Sequence, residues 1–258
     1  MNSDLPEEIG EAAADGDFER VKAWLAGGSD SAPRSVNDAD MDDWTLLMWT
    51  TAEDVTPEHV EFARYLISQG ARVDARSSYG KTALHYACGS YGESTAALVE
   101  LLVAAGANVN IKSRHGGTPL FHFHTVSEST IDVVTTLLRA GSSLDRQASR
   151  YSSFEEYLDH IGDIGEWNEL HAEHVAATRN LVASVRAAGS WKSHCRLPHK
   201  QILRLRSLVA RGRAKLPRAR RRSPRDRGVR QERALEFVAR QGDNGIVWNI
   251  LSFWRATY

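Results

Sequence analysis

Ten histidines and two cysteines are the residues of this chain that could bind a metal ion or form a catalytic pair. His171 and His174 are three residues apart, which would place both side chains on one face of a helix. A structural zinc site is tetrahedral, and no cysteine or further histidine at a suitable spacing accompanies this pair. His122 and His124 are two residues apart, so on a helix they would lie on different faces and could not share one ion. We therefore predict no metal site at either pair.

The two cysteines do not indicate catalysis either. His194, Cys195 and His199 lie together in the sequence, but no second cluster would complete a metal site. Cys88 follows His85 closely, and nothing in the sequence suggests the lowered thiol pKa that a nucleophile requires. The chain contains no glycine-rich phosphate loop and no Gly-x-Ser-x-Gly motif. The sequence thus predicts no catalytic residue, no cofactor and no enzymatic activity.

Charge is distributed unevenly along the 258 residues, although the net charge is only −1. Residues 1–191 contain 14 Lys and Arg against 29 Asp and Glu, whereas residues 192–258 contain 18 against 4. Opposite signs in two segments indicate two functional parts. The apolar runs are too short for a membrane span, the N-terminus is acidic, and two cysteines cannot form a disulfide scaffold. These features predict an intracellular protein, in the cytoplasm or, as an alternative, in the nucleus.

An internal repeat determines where the elements of the first part lie. Three segments share a Thr-x-Leu core, and they begin at Thr45, Thr82 and Thr118. Each is followed by an apolar pattern of helical period that ends at a glycine: Gly70, Gly106 and Gly141. The first two glycines are each followed, 12 residues later, by the next threonine. The connector between units is therefore constant, and the variation in length falls inside the unit.

Three positions before each glycine, at distances of four, seven and eight residues, are expected to form a buried helix face. They are Leu66, Ala63 and Phe62, then Leu102, Val99 and Leu98, then Leu137, Val134 and Val133. The threonine should cap a helix with its hydroxyl, and the glycine should end one in the left-handed conformation. Weaker copies end at Gly28 and Gly189, and a capping-box sequence at Ser153 opens the second of these. The count is about four repeats plus a degenerate fifth.

The pattern is most complete in residues 79–112, at Gly80 to Ala87 (GKTALHYA) and Leu101 to Asn110 (LLVAAGANVN). These residues resemble ankyrin repeats, and the resemblance extends over residues 9–189. In the three Thr-x-Leu units the family's proline is present only at Pro119 and its histidine only at His85. The resemblance implies an all-α fold, an ankyrin-repeat solenoid of helix pairs with short β-hairpin connectors, followed by a basic C-terminal helical region.

The resemblance also implies a protein partner, bound at the hairpin tips and inner helices of a concave face. The candidate partner-binding residues at the tips are Asp43, Trp44, Tyr79, Arg114, His115 and Tyr151. Exposed aromatic residues suit protein recognition, although Trp44 and Tyr79 would serve equally well to cover a helix end. The excess of acidic residues favours basic peptides as partners. The predicted function is a monomeric, non-enzymatic scaffold or adaptor.

The basic C-terminal region follows the repeats, which we assign to residues 1–191. Residues 192–214 predict a basic amphipathic capping helix, residues 215–231 an arginine-rich disordered linker, and residues 232–258 C-terminal helices. The linker contains a cluster of arginines: Arg218, Arg220, Arg221 and Arg222. This cluster could act as a nuclear-import signal, a nonspecific nucleic-acid contact, a cover for the acidic repeats, or only a solvated linker.

The order of these elements also resembles adaptors that join ankyrin repeats to a suppressor-of-cytokine-signalling (SOCS) box. The sequence Ile250 to Trp254 (ILSFW) resembles part of an F-box as well. The cysteine of the first box helix is missing, because Ser207 to Arg211 leads directly to Gly212. The resemblance implies a substrate receptor of a ubiquitin ligase as an alternative function, and a terminal helix that docks back on the fold is the simpler interpretation.

Overall fold

The computed structural model describes residues 5–27, 34–124, 128–144, 151, 153–163 and 169–196. The chain forms two compact units, Met1–Ser184 and Val185–Tyr258. The helices, in chain order, are α1 (Glu7–Ala14), α2 (Phe18–Ala26), α3 (Leu46–Thr50), α4 (Pro57–Ser68), α5 (Ala83–Gly89), α6 (Thr95–Ala104), α7 (Glu128–Arg139), α8 (Phe154–Asp163) and α9 (Glu169–Ala188). A 3₁₀ turn, Pro119–Phe121, lies between α6 and α7. None of the helices in the described part has the length and apolar character needed to cross a membrane.

The helices of the first unit pack in two layers. In one layer, α1 contacts α3, α3 contacts α5, and both α5 and α8 contact the 3₁₀ turn. In the other layer, α4 contacts α6 and α6 contacts α7. Each helix pair therefore covers the apolar face of its neighbour, as stacked repeats do. The expectation of an all-α repeat fold is confirmed.

The apolar face shared by the second helices is the main source of stability in this unit. All nine residues predicted to form that face are at most 3 % exposed. Burying one leucine, valine or phenylalanine side chain is worth about 1.5–3 kcal/mol, so this shared face outweighs any single polar contact. The glycines that were predicted to end these helices have left-handed φ values, between 88° and 92°. Gly189 is left-handed too, with a φ of 79°, whereas Gly28 lies outside the described residues.

The repeated threonines occupy equivalent places. Thr45, Thr82 and Thr118 each stand directly before a first helix or turn, in extended backbone, and each is at most 4 % exposed. The predicted hydroxyl cap is wrong at Thr45 and Thr118, whose hydroxyls are buried without a partner among the described residues. At both positions the backbone N–H three residues later donates to the threonine carbonyl, at 2.9 Å and 2.8 Å respectively.

At Thr82 the side chain of a histidine, His85, contacts the threonine. The Thr82 N–H donates to Nδ1 of His85 at 3.1 Å, and the Thr82 Oγ1 lies 3.0 Å from the same nitrogen. Because Nδ1 accepts, the hydrogen is on Nε2, which donates to the Gly117 carbonyl of the next unit at 3.3 Å. His85 therefore ties two successive units together.

A second histidine of this kind opens α4, and sequence reasoning did not find it. The Thr56 Oγ1 lies 2.9 Å from Nδ1 of His59, and Nε2 of His59 is 2.9 Å from the Ala14 carbonyl of the preceding unit. The spacing of Thr56 to His59 equals that of Thr82 to His85, so the sequence contained the signal. The segments that begin at Thr45 and Thr118 have no such histidine, because Met48 and Phe121 occupy the corresponding position.

Two details of the predicted repeat are wrong, one in the connectors and one in the fourth unit. The described connectors contain turns and an isolated bridge between Ala39 and Thr45 but no β-strands, because each turn is closed by few backbone hydrogen bonds. The first helix of the fourth unit is replaced by the 3₁₀ turn Pro119–Phe121, and the backbone is not helical at His122 and His124. The assumption that these two histidines lie on a helix is therefore wrong.

Side chains of the connectors bridge successive units. The Asn37 amide donates to the Gly70 carbonyl at 3.0 Å and its oxygen accepts from the Arg72 N–H at 2.7 Å. Two units later, Asn110 makes the same two bonds, to Gly141 and Ser143, at 3.0 Å and 3.3 Å. In each case one amide satisfies both a carbonyl and an N–H at the end of a second helix.

Asp74 occupies the equivalent position in the unit between Asn37 and Asn110. It can make only one of the two hydrogen bonds that the asparagines make. Its carboxylate accepts from the Asn108 N–H at 3.0 Å, but it has no hydrogen to donate to the Gly106 carbonyl. Asp74→Asn should therefore raise the free energy of unfolding by about 1 kcal/mol. Urea denaturation would measure this, and the reverse change Asn37→Asp should lower stability by a similar amount. An unchanged or lower urea midpoint for Asp74→Asn would contradict the expectation.

Of the predicted capping helix at residues 192–214, only residues 192–196 are described, and they are helical. The Ser193 N–H donates to the Ser190 Oγ at 3.1 Å, and the His194 N–H donates to the Ser190 carbonyl at 2.9 Å. The predicted linker at 215–231, with the arginine cluster, and the predicted helices at 232–258 lie outside the described residues.

Candidate interaction surface

Three turns at the tips of the connectors lie side by side; we call residues 40–44 finger 1, residues 77–81 finger 2 and residues 113–117 finger 3. Each finger is closed by one N–H···O bond between its end residues, at 3.0, 2.9 and 2.8 Å in that order. The Ser78 N–H donates to the Asp42 carbonyl at 2.8 Å, and the Arg114 N–H donates to the Tyr79 carbonyl at 2.9 Å. Backbone bonds therefore join each finger to the next.

This arrangement brings together five of the six candidate residues of the tips: Asp43, Trp44, Tyr79, Arg114 and His115. Asp43 has a φ of 59° and occupies the turn position that Gly80 and Gly116 occupy in the other fingers, with φ values of 70° and 82°. Aspartate tolerates this left-handed conformation better than most residues. Finger 1 thus presents a carboxylate where the other two fingers have no side chain.

Asp40 organises finger 1, a role that the sequence analysis did not predict. Its Oδ1 accepts from the N–H groups of Asp42 and Trp44, at 2.8 Å and 2.9 Å. Its Oδ2 accepts from the indole Nε1 of Trp49 at 3.0 Å. One carboxylate therefore fixes the turn and also orients an aromatic side chain of α3.

Three half-buried aromatic rings form a cluster beneath fingers 1 and 2. The ring centroid of Trp44 lies 4.9 Å from that of Trp49 and 4.2 Å from that of Tyr86, and the Tyr86 hydroxyl is 3.1 Å from the Ser77 Oγ. Trp49 and Tyr86 were missed, although both stand four residues after a repeated threonine. Trp44 packs against its neighbours, whereas the side chain of Tyr79 is 50 % exposed at the tip.

The fingers differ in charge. Finger 1 exposes the carboxylates of Asp42 and Asp43. Fingers 2 and 3 and their flanks carry the basic finger patch, which consists of Arg76, Lys81, Lys112 and Arg114. The ammonium of Lys81 lies 5.3 Å from the ring centroid of Tyr86, and burial lowers its pKa. An acidic surface and a basic surface are therefore adjacent along one edge of the repeats.

Tyr151, the sixth candidate, is half-buried and lies against α8. Its ring centroid is 5.1 Å from that of Tyr157 and 5.1 Å from that of His160. The four arginines of the basic cluster, Arg218, Arg220, Arg221 and Arg222, lie outside the described residues.

Three histidines form a cluster below the fingers. The ring of His122 lies 5.8 Å from that of His85 and 5.6 Å from that of His124. Burial, together with the charge of Lys81, lowers the pKa of His85 to about 4 and that of His122 to about 3, and it lowers that of His124 too. Both nitrogens of His85 are already used in hydrogen bonds. Across the described ranges no three metal-binding side chains converge on a site.

A cleft of about 490 Å³ lies at the other end of α5 from finger 2, between the α5–α6 loop and α7. Cys88, Tyr91, His124 and Asp132 are among its lining residues. Burial raises the pKa of the Cys88 thiol, which is therefore protonated at neutral pH and unsuited to attack a substrate.

Comparison with known proteins identifies the repeat. A family model of ankyrin repeats matches residues 9–113, in three copies. Ankyrin repeat and SOCS box protein 16 of Homo sapiens is 39 % identical over 90 residues, which are 35 % of this chain and 18 % of that protein. Its counterpart from Mus musculus is 44 % identical over 71 residues, 28 % of this chain and 15 % of that protein. The matched segments thus span less than a fifth of these relatives. The spacing of the threonines, the two layers of helices and this match agree, and residues 9–113 are ankyrin repeats.

Proposed function

We propose that this chain is a non-enzymatic adaptor that binds a protein partner across its fingers and first helices, the face that is concave in ankyrin proteins. Ankyrin repeats generally serve as interaction modules rather than enzymes. The observation that carries the proposal is the row of three fingers joined by backbone hydrogen bonds, with aromatic and charged side chains along it. These side chains give the surface the composition of a protein-recognition site.

The finger surface is built for recognition without large rearrangement. The Tyr79 carbonyl is held by the Arg114 N–H, so the backbone below this exposed ring is already ordered before a partner arrives. Binding then costs less conformational entropy than ordering a free loop would. A large aromatic side chain on an ordered backbone is the kind of residue that contributes most to a protein interface.

Tyr79→Ser should therefore remove the partner, whereas Tyr91→Ser should retain it. The two tyrosines are a matched pair, because their side chains are 50 % and 55 % exposed and only Tyr79 lies on a finger. Loss of one anchor residue should weaken binding about tenfold or more, and the control about twofold or less. Proximity labelling in cells with full-length variants would measure this as proteins labelled by wild type and Tyr91→Ser but not by Tyr79→Ser. Identical labelling by both variants would refute the proposal.

A second function is supported by the relatives' names, which include a SOCS box. In this alternative the chain is a substrate receptor of a ubiquitin ligase, and residues 192–258 recruit the ligase through elongin or Skp1-type adaptors. The same labelling experiment tests it, with a chain that ends at Gly189 as a further variant. Elongin or Skp1-type adaptors labelled by the full chain and by Tyr79→Ser, but not by the shortened chain, would support it. Their absence from all samples would remove it.

We also propose that the protein acts in the cytoplasm, with the cluster at Arg218, Arg220, Arg221 and Arg222 able to direct nuclear import. Both cysteines are unpaired thiols, Cys88 buried and Cys195 exposed, which fits a reducing compartment. Nonspecific binding of nucleic acid by the same cluster remains a further use of it and should weaken steeply with salt.

A further inference from the structure

The basic finger patch brings its cations close together around Gly80. A Cβ atom built on Gly80 would lie 2.9 Å from the Nη2 of Arg76 and 3.3 Å from the Cγ of Arg114. Lys81 is the next residue along the chain, and the guanidinium of Arg76 donates to the Lys112 carbonyl at 2.8 Å. The patch is therefore one surface shared by fingers 2 and 3.

These cations have no carboxylate partner within the described ranges. The ion pairs there join Arg20 to Glu8, Lys22 to Glu19, Arg64 to Glu61 and Arg179 to Asp159. Asp74, the acidic residue nearest to Arg76 in the sequence, accepts from the Asn108 N–H instead, and Asp40 accepts from two backbone N–H groups of finger 1 and from the indole N–H of Trp49. The positive charge of the patch is thus left for something outside the described fold.

Lys81 is the most important member of the patch for binding, because its side chain is half-buried. Burial removes water from its ammonium and lowers its pKa, and its charge in turn lowers the pKa values of His85, His122 and His124. A carboxylate that reached this ammonium would form a partly buried ion pair. Water screens such a pair less than it screens one on an open surface.

We propose that the basic finger patch binds an aspartate or glutamate side chain of an acidic partner segment, which pairs with Lys81 while the segment's backbone crosses Tyr79 and Trp44. This inference rests on the proposed function and specifies the chemistry of the partner. It reverses the expectation of basic peptides that the acidic composition of residues 1–191 suggested, because the acids and bases are separated on the fingers. A nucleic acid fits less well, since a phosphate on every nucleotide would be repelled by Asp42 and Asp43 beside the patch.

A random 12-residue peptide display library, selected on the full chain, tests this proposal. The selected peptides should be enriched in Asp and Glu and are then made with a fluorescent label for affinity measurement. Lys81→Glu should weaken their binding by about tenfold or more, and so should the exposed-site variant Arg114→Glu. Arg64→Glu is the matched control, because it makes the same change of charge on α4 and should alter affinity by about twofold or less. Thermal unfolding verifies that each variant is folded.

The remaining outcomes distinguish failure of this inference from failure of the proposed function. Neutral or basic peptides that lose affinity on Tyr79→Ser would overturn the acidic specificity and leave the finger surface as a binding site. Selected peptides that bind Tyr79→Ser, Lys81→Glu and wild type equally would overturn both. A single-stranded oligothymidine could also bind more tightly than any selected peptide and lose that affinity on Lys81→Glu. This result would show that the patch binds a nucleic acid and not an acidic segment.

Discussion

Gly92→Ala should lower the free energy of unfolding by about 3 kcal/mol or more, whereas Gly106→Ala should lower it by only about 1 kcal/mol. Both glycines have a left-handed backbone, with φ values of 115° and 92°. A Cβ atom on Gly106 would meet nothing within 4 Å. On Gly92 it would lie 2.4 Å from the carbonyl oxygen of Val55 and 2.6 Å from its nitrogen. The difference between the two variants therefore isolates the contact with Val55.

The contact at Gly92 cannot be relieved by a side-chain rotation, because the atoms it meets belong to the backbone. The Val55 N–H donates to the Tyr91 carbonyl at 2.7 Å, and the Val55 carbonyl accepts from the Ser94 N–H at 3.3 Å. These bonds join the loops between the helices of the second and third units. An alanine would force the loops apart and expose Val55, which is 1 % exposed.

Urea denaturation followed by circular dichroism measures both glycine variants against wild type. Hydrogen exchange at the Val55 amide provides a local readout, since this amide should lose protection in Gly92→Ala and keep it in Gly106→Ala. Equal destabilisation by the two substitutions would show that only the left-handed backbone matters and that the close approach is not a constraint.

Acidification from pH 7 to pH 5 should lower the free energy of unfolding by about 2 kcal/mol through His85 and His122. Their folded pKa values are about 4 and about 3, below the ordinary 6.5, because burial and the charge of Lys81 disfavour the imidazolium. In the unfolded chain both rings take up a proton near pH 6.5, whereas in the folded chain they stay neutral. Stability from this source is complete above the unfolded pKa, falls between about pH 6.5 and pH 4, and changes little below about pH 3. Solvent reaches the half-buried ring of His122 and weakens its contribution to this loss.

His122→Phe separates this effect from the titration of carboxylates. The variant removes one of the two titrating rings and also a buried Nδ1 that has no partner among the described atoms. The loss of stability between pH 7 and pH 5 should shrink by about 1 kcal/mol. His115→Phe is the control, because it makes the same substitution at an exposed histidine of finger 3. Urea midpoints at both pH values provide the measurement, and an equal pH dependence of wild type and His122→Phe would contradict the assignment.

The spacing of threonines and glycines predicted the helix pairs because each residue type acts locally. A glycine in the left-handed conformation ends a helix, and the apolar residues four, seven and eight positions before it share a face. The same local reasoning failed at Pro119–Phe121. There the helix stops after a single turn, although the Thr-Pro-Leu sequence is the family's own opening. Local propensity decides where a helix starts, whereas packing against neighbouring units decides how far it extends.

The candidate surface was only partly predictable, because its key contacts join residues far apart in the sequence. Tyr79 and Arg114 could be placed on fingers from the repeat alone. The meeting of Trp44 with Tyr86, 42 positions later, depends on how two units stack. The separation of acidic from basic residues along the fingers could not be predicted either. The net charge of a segment does not tell which of its residues share a surface.

The hydrogen bonds between fingers involve main-chain atoms, at Ser78 with Asp42 and at Arg114 with Tyr79. Since they do not depend on side-chain identity, an exposed tip such as Tyr79 or His115 can be exchanged for another residue without loosening the frame that displays it. Duplicated copies of such a chain could therefore diverge in what they recognise while keeping one architecture. The same independence makes these tips the natural positions to randomise when a new binding specificity is to be engineered.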